Sequence, residues 1–284
     1  MTAASLHKRA EEVAAGLPHL LLRAKRVAAT VSAGLHGRRR PGRGEDFWQY
    51  RQSQPGDPLT SIDWRQSARS DHLYVRETEW TIAQTARIWA DPSPSMRWRS
   101  SPDLDSKYDR ACLLAVALGV LLEQAGERIG LLNRPGPAFS GRTAPARLAH
   151  ALLTAEPSET IPENGVAQRS QLILLSDFLM PPDVIARQVE RWSAAGLSGH
   201  LLHILDPAEE SLPYRGRVRL RGLEQEGDML LPHAESLRDD YGLALDTHRR
   251  ALEAIARQAG WRFATHRTDK PARVALTHLY SAIC

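Results

Sequence analysis

The sequence predicts an α/β fold in which a mostly parallel sheet carries helices on both faces, with an N-terminal helical and β extension ahead of it. Two observations predict this. From Thr81 onward the chain alternates short strand patterns rich in Val, Ile and Leu with longer helical ones, and that alternation implies βαβ units around a parallel sheet. Three of the strand patterns end in aspartate, at Asp91, Asp177 and Asp206, which gathers polar groups beyond the carboxyl ends of the strands. With 284 residues and 42% hydrophobic content, the chain can bury a sizeable core without disulfide or metal staples.

Residues 5–31 place Leu6, Val13, Leu17, Leu20, Leu21, Val27 and Val31 at helical spacing, and Pro18 is expected to divide them into two helices. The run Gly37-Arg-Arg-Arg-Pro-Gly-Arg-Gly44 breaks both regular periods and reads as a loop. Asp57 before Pro58 has the form of an N-cap and first helical position, opening a short helix through Ile62, Asp63, Trp64 and Ala68. Residues 73–77 are a strand pattern. In the alternating part, strands are expected at 81–90, 128–132, 172–176, 200–205 and 261–265. Helices are expected at 107–125, 144–155, 182–195, 235–258 and 272–283, with an edge hairpin from 217–223 and 228–231. The longest apolar run, 111–122, is closed by Arg110 and Glu123. It falls well short of the roughly 20 residues of a membrane span and reads as a buried helix.

The formal charge of +4, from 37 Lys+Arg against 33 Asp+Glu, is placed unevenly. Residues 1–100 carry a net +6 and the remainder a net −2. No acid occurs between Val13 and Gly44, where Arg38, Arg39, Arg40 and Arg43 form a basic patch. Such a patch suits phosphates, an acidic protein surface or plain solvation. No zinc-finger spacing or RNA-recognition aromatic string accompanies it. Charged residues near the N-terminus leave no signal-peptide core, and two cysteines, Cys112 and Cys284, suit a reducing compartment. A cytoplasmic address is the expectation.

Asp91-Pro92-Ser93-Pro94-Ser95 follows a strand pattern. Alternate residues of an extended loop point the same way, so one carboxylate and two hydroxyls can converge, and the prolines favour extended backbone. The three side chains then either hold a hard cation such as Mg²⁺ or Mn²⁺, with help from Asp177, or hydrogen-bond as a loop. Asp206, before Pro207, reads better as a cap or turn residue.

These residues carry a resemblance. The chain resembles the domain-of-unknown-function 58 family through Gly44-Glu-Asp-Phe47, Arg51, Pro55-Gly-Asp57, Ile62-Asp-Trp64, Ser67-Ala-Arg69, Leu73-Tyr-Val-Arg-Glu77, Asp91-x-Ser93-x-Ser95-Met96 and Lys107. A weaker likeness continues through Leu174-Leu-Ser-Asp177, Asp206-Pro-Ala-Glu209, Tyr241 and Thr268-Asp269. The resemblance implies a Rossmann-like, von Willebrand factor A-like domain over 79–284, with 1–78 as an extension packing on it. It also implies a metal-ion-dependent adhesion site for Mg²⁺ or Mn²⁺. Asp91, Ser93 and Ser95 would form its first ligand loop, Asp177 the late acidic position, and Thr143 the middle ligand, unless Thr143 is simply a helix N-cap. Departures from the family pattern fall at Ser53, Thr60, Pro92 and Pro94. Arg51, Asp57, Asp63, Trp64 and Arg69 are expected to form a charge network that holds the extension on the sheet with Trp64 as packing anchor, or else a binding surface.

The function implied is a non-enzymatic protein-binding module, a metal-dependent adaptor or chaperone-like companion of a MoxR-type AAA+ ATPase and of other von Willebrand A-like proteins. A metal-dependent hydrolase acting at Asp91 is the alternative. The sequence holds no phosphate-binding glycine loop, nucleophile elbow or paired-histidine ligand set to support it. Nucleic-acid binding through Arg38 to Arg43 is the third reading.

Overall fold

The computed structural model describes residues 3–34, 47–55, 57, 59–70, 72–78, 84–134, 136–163, 170–223 and 227–283. The chain divides into two compact units, 36–83 on one hand and 1–35 with 84–284 on the other. The basic patch of Arg38, Arg39, Arg40 and Arg43 lies outside the described residues. In chain order come α1 (Ala3–Gly34), then β1 (Phe47–Gln52), α2 (Trp64–Ser67) and β2 (Tyr74–Thr78) of the small unit. The body continues with β3 (Thr85–Ala90), α3 (Lys107–Gln124), β4 (Arg128–Leu131), α4 (Ala144–Leu153), β5 (Ser170–Ser176) and α5 (Pro182–Ala194). It ends with β6 (Ser198–Leu205), α6 (Pro207–Ser211), β7 (Val218–Arg221), β8 (Asp228–Leu231), α7 (Arg238–Gln258), β9 (Arg262–Arg267) and α8 (Ala272–Ile283).

The body is an α/β layer structure. Its five-stranded sheet has the order β4-β3-β5-β6-β9, every pair parallel. The chain steps from β3 to β4 on one side, then returns to place β5 on the other side of β3. The order therefore reverses between β3 and β5, and ligands of open α/β sheets sit outside the carboxyl ends of the strands at such a point. Alternation along the strands divides the core: Ile88 and Ala90 belong to the cluster built with α3, α4 and α8, which α1 covers, while Trp89, Leu172 and Leu174 belong to the one built with α5 and α7. The hairpin β7–β8 forms a separate two-stranded sheet.

Helix α1 is one helix, with Pro18 inside it, which corrects the expected division. Proline removes one backbone donor, and the cost is offset because downstream Leu20, Ala24, Ala28 and Val31 bury a stripe in the body. That stripe explains the apolar run of α3. One side of α3 meets the sheet and the other meets α1, so Ala111 through Leu122 are buried all round.

In the small unit, β1 pairs antiparallel with β2. The cap of its helix is Asp63, whose Oδ1 accepts from Gln66 N–H at 2.9 Å. This corrects the expectation of Asp57, which instead closes the preceding turn by accepting from Gln54 N–H at 2.8 Å. Trp64 is 59% exposed. It opens a one-turn helix whose buried residue is Ser67.

Candidate functional site

At the carboxyl end of β3, Asp91 continues the ladder by donating its N–H to Leu175 O at 3.0 Å. The chain then turns out through the two prolines. Asp91 Oδ1 accepts from Ser93 N–H at 2.9 Å, and Ser93 Oγ lies 3.1 Å from Ser95 Oγ. Asp91 Oδ2 accepts from the hydroxyl of Ser176, the last residue of β5. Asp91, Ser93, Ser95 and Asp177 thus lie together and buried at the reversal point of the sheet. Burial pushes the Asp91 carboxyl up to about 6, with the Ser176 and Ser93 hydrogen bonds opposing and the Asp177 charge adding to the rise.

The next residue of the loop, Phe178, has φ 50°, a left-handed conformation that costs a bulky residue roughly 1–3 kcal/mol. Its buried ring and its N–H, which donates to Ser176 Oγ at 2.8 Å, hold it there. The turn leaves Asp177 with its carboxylate on the first residue of α3. Lys107 Nζ donates to Asp177 Oδ2 at 2.8 Å and, on its other side, to Glu209 Oε1. Lys107 is 1% exposed. Burial alone would lower its pKa, yet the two carboxylates hold it above the ordinary value.

Glu209 is itself fixed. Its Oε2 accepts from Asp206 N–H at 2.8 Å, and Asp206 Oδ1 accepts from Ala208 N–H at 2.8 Å, a capping box on α6. Asp206 Oδ2 also accepts from Ser100 N–H at 2.9 Å. Asp206 is therefore the cap that the sequence suggested, and it ties down the loop that follows Ser95. One turn into α3, Arg110 donates to Asp105 Oδ2 at 3.1 Å, to Thr268 O at 2.7 Å and to Lys270 O at 2.6 Å. Asp105 also receives Arg23 of α1 at 2.6 Å.

Among the described residues, no hydrogen bond joins Thr143 to this cluster. Tyr108, beside Lys107, donates to Leu152 O at 2.7 Å in the last turn of α4. Thr143 precedes the first turn of that helix, about 13 Å away along its axis at 1.5 Å per residue. It lines a hollow with Arg87, Arg134, Phe139 and Arg147. It sits at the N-cap position of α4 without a side-chain capping bond. In the small unit, Tyr50 OH donates to Asp63 Oδ2 at 3.2 Å, and Arg69 is exposed. Arg51 lies in β1 opposite Val75, and its side chain lies outside the described residues.

Sequence reasoning gave no role to Lys107, Ser176 or Glu209. A signal existed for two of them: a lysine heading an otherwise apolar helix, and Glu209 three residues after a capping aspartate.

A family profile described as "Protein of unknown function DUF58" matches residues 49–251. The chain belongs to this family. Similar relatives are the uncharacterized proteins Mb1516 of Mycobacterium bovis and Rv1480 of Mycobacterium tuberculosis, each 28% identical over 279 residues, covering 91% of this DUF58 chain and 86% of theirs. Among solved structures, an aerotolerance-related membrane protein from Bacteroides fragilis aligns with 71% of this chain and 98% of its own at 14% identity and a TM-score of 0.43. The protein BatB from Bacteroides thetaiotaomicron aligns with 70% of this chain and 98% of its own at 16% identity and a TM-score of 0.40. Likenesses at that level add nothing to the fold already described. Among the described residues, no helix is long and apolar enough to cross a membrane.

Proposed function

We propose that this DUF58 chain is a non-enzymatic protein-binding module and, at finer grain, an adaptor or chaperone-like companion of a MoxR-type AAA+ ATPase in the assembly or remodelling of protein complexes. The observation that supports the module best is the contrast between the enclosed polar cluster and the apolar rim beside it. Asp91, Lys107 and Asp177 are buried and engaged, whereas a hydrolytic nucleophile or general base must reach its substrate. The loop after β5 presents Leu179, 52% exposed, and α7 presents Leu243, 68% exposed. Leu243 lines a surface hollow of about 550 Å³ with Pro182, Ala244, Thr247 and His248. His248 Nε2 bonds to Phe178 O at 2.9 Å, which joins this rim to the strained loop of the cluster. Exposed large apolar groups on fixed loops suit a protein contact.

The ATPase partner rests on the family resemblance. So does the metal-completed form of the module, in which a partner's acidic side chain fills the shell of a Mg²⁺ or Mn²⁺ ion held at Asp91, Ser93 and Ser95; the buried ammonium of Lys107 weighs against that form. The test is capture of a nucleotide-free MoxR-type ATPase from the same organism by the immobilised full chain. Capture by wild type and its loss in a Leu179→Asp, Leu243→Asp double variant is the expected result. No capture, or equal capture by the double variant, removes the proposal. Turnover of p-nitrophenyl phosphate that Asp91→Asn abolishes would establish the hydrolase instead.

A further inference from the structure

We propose that Lys107 supplies, from within the chain, the positive charge that the family resemblance assigns to a divalent cation, so that the cluster of Asp91, Ser93, Ser95 and Asp177 is complete without Mg²⁺ or Mn²⁺. The donor set does not fit the metal. A hard divalent cation needs oxygen lone pairs turned toward one point, and Mg²⁺ demands near-octahedral geometry at about 2.0–2.1 Å. Here each candidate ligand already has a protein partner. Asp91 accepts from Ser93 N–H and the Ser176 hydroxyl. Ser93 Oγ and Ser95 Oγ are within 3.1 Å of each other. Asp177 accepts the Lys107 ammonium on Oδ2 and faces Leu179 N–H with Oδ1 at 3.4 Å.

The charge argument runs the same way. An ammonium between two carboxylates neutralises in part what a metal would otherwise neutralise, and it repels a second cation brought close to Asp177. Lys107 cannot swing aside into water. It starts α3, whose cap Ser106 accepts from Asp109 N–H at 3.0 Å, and its stem and head are buried. Glu209, which lies outside the implied ligand set, clamps the ammonium from the far side and is held in turn by the capping box of α6. A built-in cation also joins α3, the loop after β5 and α6 permanently, where an exchangeable ion would join its ligands only when bound. One consequence is that the site offers no open coordination position to a partner. This inference concerns the free chain and does not depend on which partner it binds.

The test uses the full chain freed of metal by chelator. Mn²⁺ alone is titrated and followed by electron paramagnetic resonance and calorimetry, and the thermal midpoint is read with and without Mg²⁺. For wild type the expected result is no Mn²⁺ bound up to millimolar concentration and no change of midpoint in chelator. Lys107→Met, with Lys107→Gln as the second variant should the first not fold, is expected to lose midpoint and to recover part of it when Mn²⁺ is added. Lys107→Arg, which keeps the charge, is expected to exclude Mn²⁺ like wild type. One Mn²⁺ per wild-type chain, lost in Asp91→Asn, would overturn the inference. So would a neutral Lys107 variant as stable as wild type and indifferent to Mn²⁺.

Discussion

The carboxyl edge of the sheet and the small unit use polar residues in opposite ways. At the edge, the bonds join residues far apart in sequence: Lys107 to Asp177 and Glu209, Ser176 to Asp91, and Ser100 to Asp206 span 70, 102, 85 and 106 residues. Asp91, Lys107, Ser176, Asp177 and Asp206 are buried, so a bond left unmade at any of these carries a desolvation cost. In the small unit, the side-chain bonds described for Asp57, Asp63 and Ser67 reach only 3 to 13 residues away. Leu59, Trp64 and Leu73 stand exposed. Yet the most specific run of family motif residues lies in the small unit. Motif density therefore does not mark where this molecule is most tightly held, and the two regions should respond to mutation very differently.

The largest effect is expected at Lys107. Replacing it by Met leaves Asp177 and Glu209 buried without their counter-charge, and breaking a buried pair from one side costs about 3–5 kcal/mol. Urea unfolding at neutral pH measures it, and a loss below about 1 kcal/mol would reduce the cluster to a surface feature. Arg110→Ala comes next. It strips Asp105 of one partner and frees the carbonyls of Thr268 and Lys270, for an expected loss of about 2–4 kcal/mol. If both variants unfold like wild type, the contrast between the regions fails.

Legibility in sequence follows the same divide. The parallel sheet could be read because each strand and helix announces itself within a few residues. Asp91, Ser93 and Ser95 do lie together, but not for the expected reason of a period of two in an extended loop, since Pro94 is in the right-handed helical region and Ser95 opens a single 3-10 turn. The cap at Asp206 was legible for a local reason. Lys107 was not, since its partners lie on two other elements and no local pattern pairs a lysine with them. Thr143, read from sequence either as a middle ligand or as a helix N-cap, takes the N-cap position of α4; where that helix returns depends on Tyr108 meeting Leu152, a contact between helices that no local pattern shows. Pro18 misled because its local cost is outweighed by the buried stripe of α1.

A smaller and pH-dependent effect should come from His203, on β6. It is buried against the rings of Phe178, His248 and Phe263. Neither ring nitrogen has a hydrogen-bond partner among the described residues. Burial holds its pKa down to about 3, against an ordinary 6.5, with Asp177 opposing and His248 and Arg249 adding to the fall. The unfolded chain takes up this proton near pH 6.5 while the folded one refuses it. Stability from the neutral ring is therefore full above pH 6.5 and is lost as pH falls toward 3. At about 1.4 kcal/mol per pH unit, the loss at pH 5 is about 2 kcal/mol. His203→Phe should reduce the slope of urea midpoint against pH from 7 to 4.5, leaving the share of the other buried histidines. An unchanged slope would assign the acid sensitivity to His200 and His266, both also lowered by burial to about 4.

The smallest effect is expected where the motif is densest. Trp64 is 59% exposed and heads a helix whose cap is the side chain of Asp63. Trp64→Ala keeps that cap and the bond from Ser67 Oγ to Asp63 O at 2.8 Å. Surface substitutions away from caps and cores stay within about 0.5 kcal/mol, so the variant should match wild type in urea midpoint. Asp63→Ala, which removes the cap and the acceptor of Tyr50 OH, should cost about 1 kcal/mol. A Trp64→Ala loss larger than that of Asp63→Ala would mean that the indole is covered in solution, and the small unit would then have to be ranked with the sheet edge. The expected order, with Asp63 ahead of Trp64, would leave the indole free as a contact surface whose removal alters binding and not folding.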